Sequence, residues 1–141
     1  LEELALPDNS IGDLSPLREL KSLKYLDLAG NKISDLSPIK DLSNLEELNL
    51  GGNSLKDLEP LAGLKNITAL DLGLNQAGDF KLLAGLPKLE VINLTGTRIN
   101  SLEPLLLLDQ LEVVVVGANS GISQTARTFA QNRLPGCQFI W

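Results

Sequence analysis

A 22-residue period runs through most of this 141-residue chain and constrains its fold more than any other feature. Aligned on an apolar first position, the sequence divides without insertion or deletion into six units, which begin at Leu1, Leu23, Leu45, Ile67, Leu89 and Leu111. A tandem period of this length is typical of a solenoid, in which each unit forms one coil and stacked coils share a core. We therefore expect residues 1–122 to form six repeats and residues 123–141 to form a C-terminal cap.

The apolar positions within a unit predict the shape of one coil. In the second unit, Leu26 and Leu28 alternate with polar neighbours, which is the pattern of a short strand with one buried face. Ile33, Leu36 and Ile39 recur every three residues, as in a 3₁₀ turn. Each coil is therefore expected to place a strand on one side of the core and a tight turn on the other.

Two polar positions also recur. The ninth position of the units carries Asn9, Asn31, Asn53, Asn75 and Asn119, with Thr97 in the fifth unit. We expect these amides to donate to and accept from backbone groups of neighbouring coils. The thirteenth position carries Asp13, Asp35, Asp57 and Asp79. Because three of these aspartates precede a proline in the tight turn, the pattern favours turn capping. A ladder of calcium sites is the alternative, but no second oxygen-rich residue accompanies each aspartate at a fixed spacing.

The period ends after Gly121, and the last residues predict a different structure. An apolar stripe predicts a helix over residues 123–133 with Ser123 as its N-cap; its members are Ile122, Ala126, Phe129, Ala130 and Leu134. Pro135 and Gly136 end this helix, and residues 137–141 return as a strand. We expect that strand to lie beside residues 113–116 and to shield the last coil. Cys137 is expected to be a small buried side chain, and Trp141 to pack within the cap.

The repeated pattern LxxLxLxxNxIxxLxPLxxL resembles the 22-residue leucine-rich repeat of bacterial internalins and of a eukaryotic regulatory subunit of protein phosphatases. The ending NRLPGCQFIW is similar to the tail that closes many bacterial leucine-rich repeat domains. The resemblance implies an α/β fold, a right-handed curved solenoid with a parallel β-sheet on its concave face. Short 3₁₀ or helical turns would line the convex face, and a helix and a strand would form the C-terminal cap. A binding role in place of catalysis is implied as well.

The side-chain inventory argues against several classes of function. Histidine is absent and Cys137 is the single cysteine, so neither an internal disulfide nor a conventional zinc site is expected. The net charge of −6 disfavours binding to nucleic acid, and no apolar run approaches the roughly 18 residues of a membrane span. We expect no enzyme, cofactor or metal, but a monomer that binds a protein or peptide. Because Leu1 opens in mid-pattern, we also expect the chain to be a piece of a longer polypeptide.

Acidic residues concentrate where the strands are expected to face the concave side. The second, third and fifth positions hold eight acids and one lysine: Glu2, Glu3, Lys24, Asp27, Glu46, Glu47, Asp71, Glu90 and Glu112. Like charges on adjacent strands cost stability, so this pattern favours a surface that binds a basic partner. A solvated face that keeps the protein soluble is the alternative. The predicted partner-binding residues are Glu3, Tyr25, Asp27, Glu47, Asn49, Asp71 and Asn93, with Tyr25 as the aromatic anchor.

Three further departures leave alternatives open. In the fourth unit the small Ala77 and the large Phe80 predict compensating volumes in the core. Leu74 stands where neighbouring units have glycine, and is expected to be an exposed contact or to cover a coil edge. Val113 and Val115 make the concave side apolar near the C-terminus, where they are either covered or form an interface.

The second functional hypothesis is that the chain is a spacer of a larger bacterial protein, with neighbouring domains docked on its ends.

Overall fold

The computed structural model describes residues 1–117, 119 and 121–141, so Ala118 and Ser120 lie outside the described residues. Seven short strands form one parallel sheet in sequence order: β1 (Glu3–Ala5), β2 (Tyr25–Asp27), β3 (Glu47–Asn49), β4 (Ala69–Asp71), β5 (Val91–Asn93), β6 (Val113–Val115) and β7 (Gln138–Ile140). The 3₁₀ turns span Ser15–Leu17, Ser37–Ile39, Glu59–Gly63, Lys81–Gly85 and Glu103–Leu105, and helix α1 spans Gln124–Arg133. The predicted right-handed solenoid is confirmed, with its sheet on the concave face and its tight turns on the convex face.

The register of the sheet follows directly from the sequence period. Tyr25 of β2 is paired with Glu47 of β3, one period later, and Leu26 is paired with Leu48. The middle residue of each strand points into the core, so that Leu26 and Leu48 are buried. Because side chains alternate along a strand, the residues on either side of the middle one face the open concave surface.

The first coil is less well covered than those that follow. Leu26, Leu28, Ile33 and Leu42 of the second coil are buried, since a coil packs on each side of them. The equivalent residues of the first coil are only partly buried: Leu4, Leu6, Ile11 and Leu20. One end of the continuous core therefore presents an apolar surface.

The asparagine ladder joins successive coils, as the sequence predicts. Asn53 Nδ2 donates to Leu28 O of the preceding coil at 3.0 Å and to Leu50 O of its own coil at 3.0 Å. Its Oδ1 accepts from the backbone N–H of Ile33 at 3.0 Å. The same inter-coil donation and acceptance recur at Asn31 and Asn75. The amides of Asn53 and Asn75 therefore satisfy backbone groups that are buried in the core, and Asn31 does the same where the first coil is partly buried.

The recurrent aspartates stabilise the convex turns from one position earlier than a formal N-cap. Asp13 Oδ1 accepts from Ser15 N–H at 2.9 Å, while Leu14 occupies the N-cap position itself. The same contact recurs at Asp35, Asp57 and Asp79. The Ser15 hydroxyl and, secondarily, the Ser15 N–H lower the pKa of Asp13. The aspartates thus form Asx turns, which hold the chain where each 3₁₀ turn begins.

The fourth coil combines a repacked core with a strained backbone. Ala77 and Phe80 are both buried, in agreement with the predicted compensation of volumes. Leu74 has a left-handed φ of 56°, which Gly30, Gly52 and Gly96 adopt at the same position of their own coils. Its side chain is 68% exposed, and Cδ2 lies 2.7 Å from where a Cβ on Gly96 would stand. Leu74 is therefore both exposed and a cover for the next coil.

Replacing Leu74 with glycine is expected to raise the free energy of unfolding by about 0.5–1 kcal/mol. A left-handed conformation costs an L-residue about 1–2 kcal/mol, and the greater freedom of glycine in the unfolded chain offsets part of this gain. Urea unfolding followed by circular dichroism measures the change, with Gly52→Ala as the converse variant, expected to lose about 1 kcal/mol. A clear loss of stability in Leu74→Gly would show instead that the cover over Gly96 outweighs the strain.

The C-terminal residues close the far end of the array. The Ser123 side chain accepts from Ala126 N–H at 3.2 Å and caps α1, as predicted. Strand β7 pairs in parallel with β6, and Ala130 and Leu134 are buried. Phe129 is a correction, because it is 61% exposed and does not belong to the buried stripe. No helix in the described part of the chain has the length and apolar character needed to cross a membrane.

Candidate functional site

Two rows of side chains run across the concave face of the sheet. The first concave row holds the third residue of each coil and its β7 partner: Glu3, Tyr25, Glu47, Ala69, Val91, Val113 and Gln138. The second concave row holds the fifth residue and its β7 partner: Ala5, Asp27, Asn49, Asp71, Asn93, Val115 and Ile140. All seven sequence-predicted residues lie on these two rows, on neighbouring strands β1 to β5.

Tyr25 lies at the centre of a cluster of carboxylates. In the first concave row it is flanked by Glu3 of β1 and Glu47 of β3, and Asp27 follows it on the same face of β2. Partial burial raises the pKa of the Tyr25 phenol, and the negative charges of Asp27, Glu47 and Glu3 add to this effect. The cluster thus combines an aromatic ring with three acids on an open surface, which is suited to binding a cationic side chain.

The side chains of the second concave row are constrained by hydrogen bonds within the protein. Oδ1 of each polar residue accepts from the backbone N–H two residues later: Asp27 at 3.0 Å, Asn49 at 3.1 Å, Asp71 at 2.8 Å and Asn93 at 3.0 Å. Asn93 Nδ2 also donates to Asp71 Oδ2 at 2.9 Å. These four residues therefore hold the strand exits in Asx turns, and Asp71 uses both of its carboxylate oxygens within the protein.

Glycine makes room for this row of side chains. A Cβ on Gly51 would stand 3.1 Å from Asp71 Oδ1, and a Cβ on Gly73 would stand 3.2 Å from the same oxygen. An Asx residue two positions before glycine or another small residue is the sequence signal for such turns. Glu3 and Glu47, in contrast, are exposed and lie in the first concave row, away from the strand exits.

A depression of about 260 Å³ lies in the middle of the concave face. In the first concave row Ala69 lies between the larger Glu47 and Val91, and its small side chain leaves this space. The walls are Tyr25, Glu47, Leu48, Asn49, Ala69, Leu70, Asp71, Val91 and Asn93. Sequence reasoning missed the depression, although a single small residue in a row of larger ones is its signal.

Toward the C-terminus the concave face becomes apolar. Val91 is 37% exposed and Ile140 is 44% exposed, and Val113 and Val115 are half-buried. The side chains of this region therefore remain accessible from the concave side, which leaves the interface alternative for Val113 and Val115 open.

The aromatic residues of the C-terminal strand pack on one another. Phe139 and Trp141 stack with ring centroids 5.2 Å apart, and the Arg127 guanidinium carbon lies 4.9 Å from the centre of the Trp141 ring. Cys137 is partly buried, and burial raises the pKa of its thiol, which disfavours a reactive thiolate.

Among the described residues, the carboxylates of the concave face do not converge into a metal-binding group. Among the residues that the structure describes, no group of three or more Cys, Asp and Glu side chains is placed to hold a metal ion. The sequence has no histidine to act as a base. A depression of about 530 Å³ on the convex side, beside Phe80 and Ile99, contains none of the seven predicted residues. The concave rows thus offer charge, aromatic surface and apolar surface for contact with another molecule.

Comparison with known proteins identifies repeats of the same kind. The family described as "Leucine Rich repeats (2 copies)" matches residues 1–41 and again residues 43–85, together more than half of the chain. A comparison with curated protein sequences gave no match.

Three solved structures share the fold over the whole chain. An internalin (inlF) of Listeria monocytogenes has 31% sequence identity and a TM-score of 0.92 over 99% of this chain. Internalin C2 of the same species has 33% identity and a TM-score of 0.87 over 99% of this chain. A leucine-rich repeat protein of Leptospira interrogans has 29% identity and a TM-score of 0.90 over 100% of this chain. The match spans 41%, 60% and 37% of these three proteins respectively, less than two thirds of each.

Proposed function

The chain belongs to the leucine-rich repeat family, and we propose that it is a non-catalytic recognition module that binds a basic protein or peptide on its acidic concave sheet. Repeats of this fold are typical of protein–protein interaction modules. The observation that carries the proposal is the carboxylate cluster around Tyr25, formed by Glu3, Asp27 and Glu47. We propose Glu3, Tyr25, Asp27, Glu47, Asn49, Asp71 and Asn93 as the contact residues.

The sizes of the electrostatic energies favour a binding role for the acids over a structural role. Glu3 and Glu47 stand two strands apart, about 9.6 Å, where their mutual repulsion in water is about 0.4 kcal/mol. A cation placed about 4 Å from either carboxylate gains about 1 kcal/mol in water. A partner that reaches several of these acids at once therefore gains more than the fold loses by keeping them together. The acidic surface also raises the association rate of a basic partner.

The individual acids would contribute to binding in different ways. Glu3 and Glu47 are exposed and are the best placed to contact a partner directly. Asp27 and Asp71 hold Asx turns, so they act mainly through their charge, with Asn49 and Asn93 as neutral members of the same row. We also propose that the chain acts as a monomer and does not bind nucleic acid, in keeping with its net charge of −6.

Capture of a partner from cell extracts tests the proposal. The immobilised chain is compared with a Glu3→Lys/Glu47→Lys variant, at about 0.05 M and about 0.3 M salt. A Glu19→Lys/Asp41→Lys variant is the matched control, because it changes the net charge equally at exposed positions beside the convex turns. We expect the concave variant to retain at least tenfold less partner, the control to bind like the parent, and higher salt to weaken capture. Equal capture by both variants would contradict a concave site.

A spacer role is the second candidate, and the accessible apolar end of the concave sheet favours it. Val91 and Ile140 are exposed, and a neighbouring domain would dock over them. In this proposal residues 1–122 are the repeat array and residues 123–141 its cap. The spacer predicts that adding flanking sequence stabilises the chain. A chain that is monomeric and gains nothing from flanking sequence would count against it.

A further inference from the structure

The two concave rows divide the sheet into halves of different chemistry. The half on β1 to β3 carries carboxylates and Tyr25. The half on β5 to β7 carries Val91, Val113, Val115 and Ile140, together with the uncharged polar side chains of Asn93 and Gln138. The depression at Ala69 on β4 lies between the two halves. Since adjacent strands are about 4.8 Å apart, seven strands place the ends of the face about 29 Å from each other. An extended segment of about ten residues has a similar length.

The carboxylate half and the apolar half of the sheet favour different ends of a bound segment. Cationic side chains gain from Glu3, Asp27 and Glu47, but gain less over the valines, because the acids beside them, Glu90 and Glu112, lie outside the two concave rows. Apolar side chains gain by covering Val91 and Ile140, which are exposed to water in the free chain. A segment bound in reverse would place its cations on the apolar half and its apolar groups against carboxylates. Such a mismatch adds to the preference for the correct orientation.

We infer that the partner is a protein segment with a cationic end and an apolar end, bound across the strands in one orientation. Its cationic side chains lie over β1 to β3, its apolar side chains lie over β5 to β7, and a side chain between them enters the depression at Ala69. This inference rests on the proposed function and names the chemistry and direction of the partner. Charge complementarity fixes the cationic end, and the accessible Val91 and Ile140 fix the apolar end.

Synthetic peptides and the single tryptophan test the orientation. One peptide of about ten residues has a lysine block followed by a leucine and valine block, and a second peptide alternates the same residues. Each carries a dansyl acceptor at one end or the other. Trp141 directly follows β7, so its emission reports which end of the peptide lies over the apolar half. We expect the block peptide to bind at least tenfold more tightly than the alternating one. Energy transfer from Trp141 is expected to be several-fold stronger to a label at the apolar end than to a label at the cationic end.

Two variants separate the inference from the proposed function. Val91→Thr/Val113→Thr/Val115→Thr keeps the side-chain shape and strand propensity, and should weaken the block peptide about tenfold or more. Glu3→Lys/Glu47→Lys should weaken it comparably. If the two peptides bind equally and both are lost only in the glutamate variant, the acidic site stands and the inference is overturned. If neither variant affects the block peptide, the concave site itself fails.

Self-association of the free chain is the remaining possible outcome of these experiments. If the free chain forms dimers that the threonine variant abolishes, a second copy of this chain covers the apolar half and the inference is overturned. Sedimentation at increasing concentration makes this measurement without any peptide present. A monomeric chain at all concentrations, together with oriented binding of the block peptide, supports the inference.

Discussion

Replacing Asn75 with alanine is expected to lower the free energy of unfolding by about 3 kcal/mol, about twice the loss expected for Asn53→Ala. Asn75 Nδ2 donates to Leu50 O at 2.9 Å and to Leu72 O at 3.1 Å, and Oδ1 accepts from Leu55 N–H at 3.0 Å. Leu50 O keeps a second donor in Asn53 at 3.0 Å when Asn75 is removed. Leu72 O receives no other hydrogen bond from the described residues, so it and Leu55 N–H both lose their partners.

The difference between the two asparagines comes from their neighbours in the ladder. Removal of Asn53 leaves Leu28 O bonded to Asn31 and leaves Leu50 O bonded to Asn75, so only Ile33 N–H is orphaned. Each buried group without a partner costs about 1–3 kcal/mol. Two orphaned groups at Asn75 and one at Asn53 therefore give the expected ratio. The midpoint and slope of urea unfolding for both variants measure it.

Thr97 interrupts the row of asparagines next to Asn75, so Leu72 O lacks a second donor among the described residues. Replacing Thr97 with asparagine should therefore restore part of the stability that Asn75→Ala loses. Thr97 Oγ1 donates to Leu94 O of its own coil at 2.8 Å, whereas an asparagine there would also reach Leu72 O of the preceding coil. Thr97→Asn should therefore recover about 1 kcal/mol in the Asn75→Ala background. A double-mutant cycle isolates this coupling. Equal losses for Asn53→Ala and Asn75→Ala, with no coupling to position 97, would refute the explanation.

Most of the fold could be predicted because the period fixes local structure and register together. A strand around Leu26, repeated after 22 residues, leaves parallel pairing with its own copy as the consistent arrangement. The prediction that the ninth-position asparagines donate to a neighbouring coil is confirmed at Asn31, Asn53, Asn75 and Asn119. It is wrong for Asn9, whose hydrogen bonds among the described residues stay within its own coil. The position of each residue within its coil could therefore be predicted from the sequence.

The candidate site was less predictable, because it depends on contacts between coils and on side-chain exposure. Asp71 was expected to be free for a partner, but Gly73 N–H and Asn93 already use its oxygens. The depression at Ala69 depends on the sizes of the residues on neighbouring strands, Glu47 and Val91. Phe129 fits a helical stripe by spacing, yet it faces solvent on α1. Periodicity gives the direction of a side chain within its element but not what lies above it.

The pair Ala130→Asp and Phe129→Asp is expected to separate a buried position of the cap from an exposed one. Ala130 is 0% exposed, so a carboxylate there would be buried among apolar groups without a partner, at a cost of about 4 kcal/mol or more. The neighbouring Phe129 faces solvent, and its replacement should change stability by about 0.5 kcal/mol or less. Both variants add the same charge to the same helix.

Trp141 provides a local signal for this experiment. The stacking of Trp141 on Phe139 and its contact with Arg127 depend on the docking of the cap, so Ala130→Asp should red-shift the emission of Trp141 and lower the unfolding midpoint. Loss of the cap would also uncover Val114 and Val116 of the last coil and promote aggregation. Phe129→Asp should retain the parent emission and midpoint. If instead Phe129→Asp were the more destabilised of the two, the helical stripe read from the sequence would be right and the observed docking of α1 wrong.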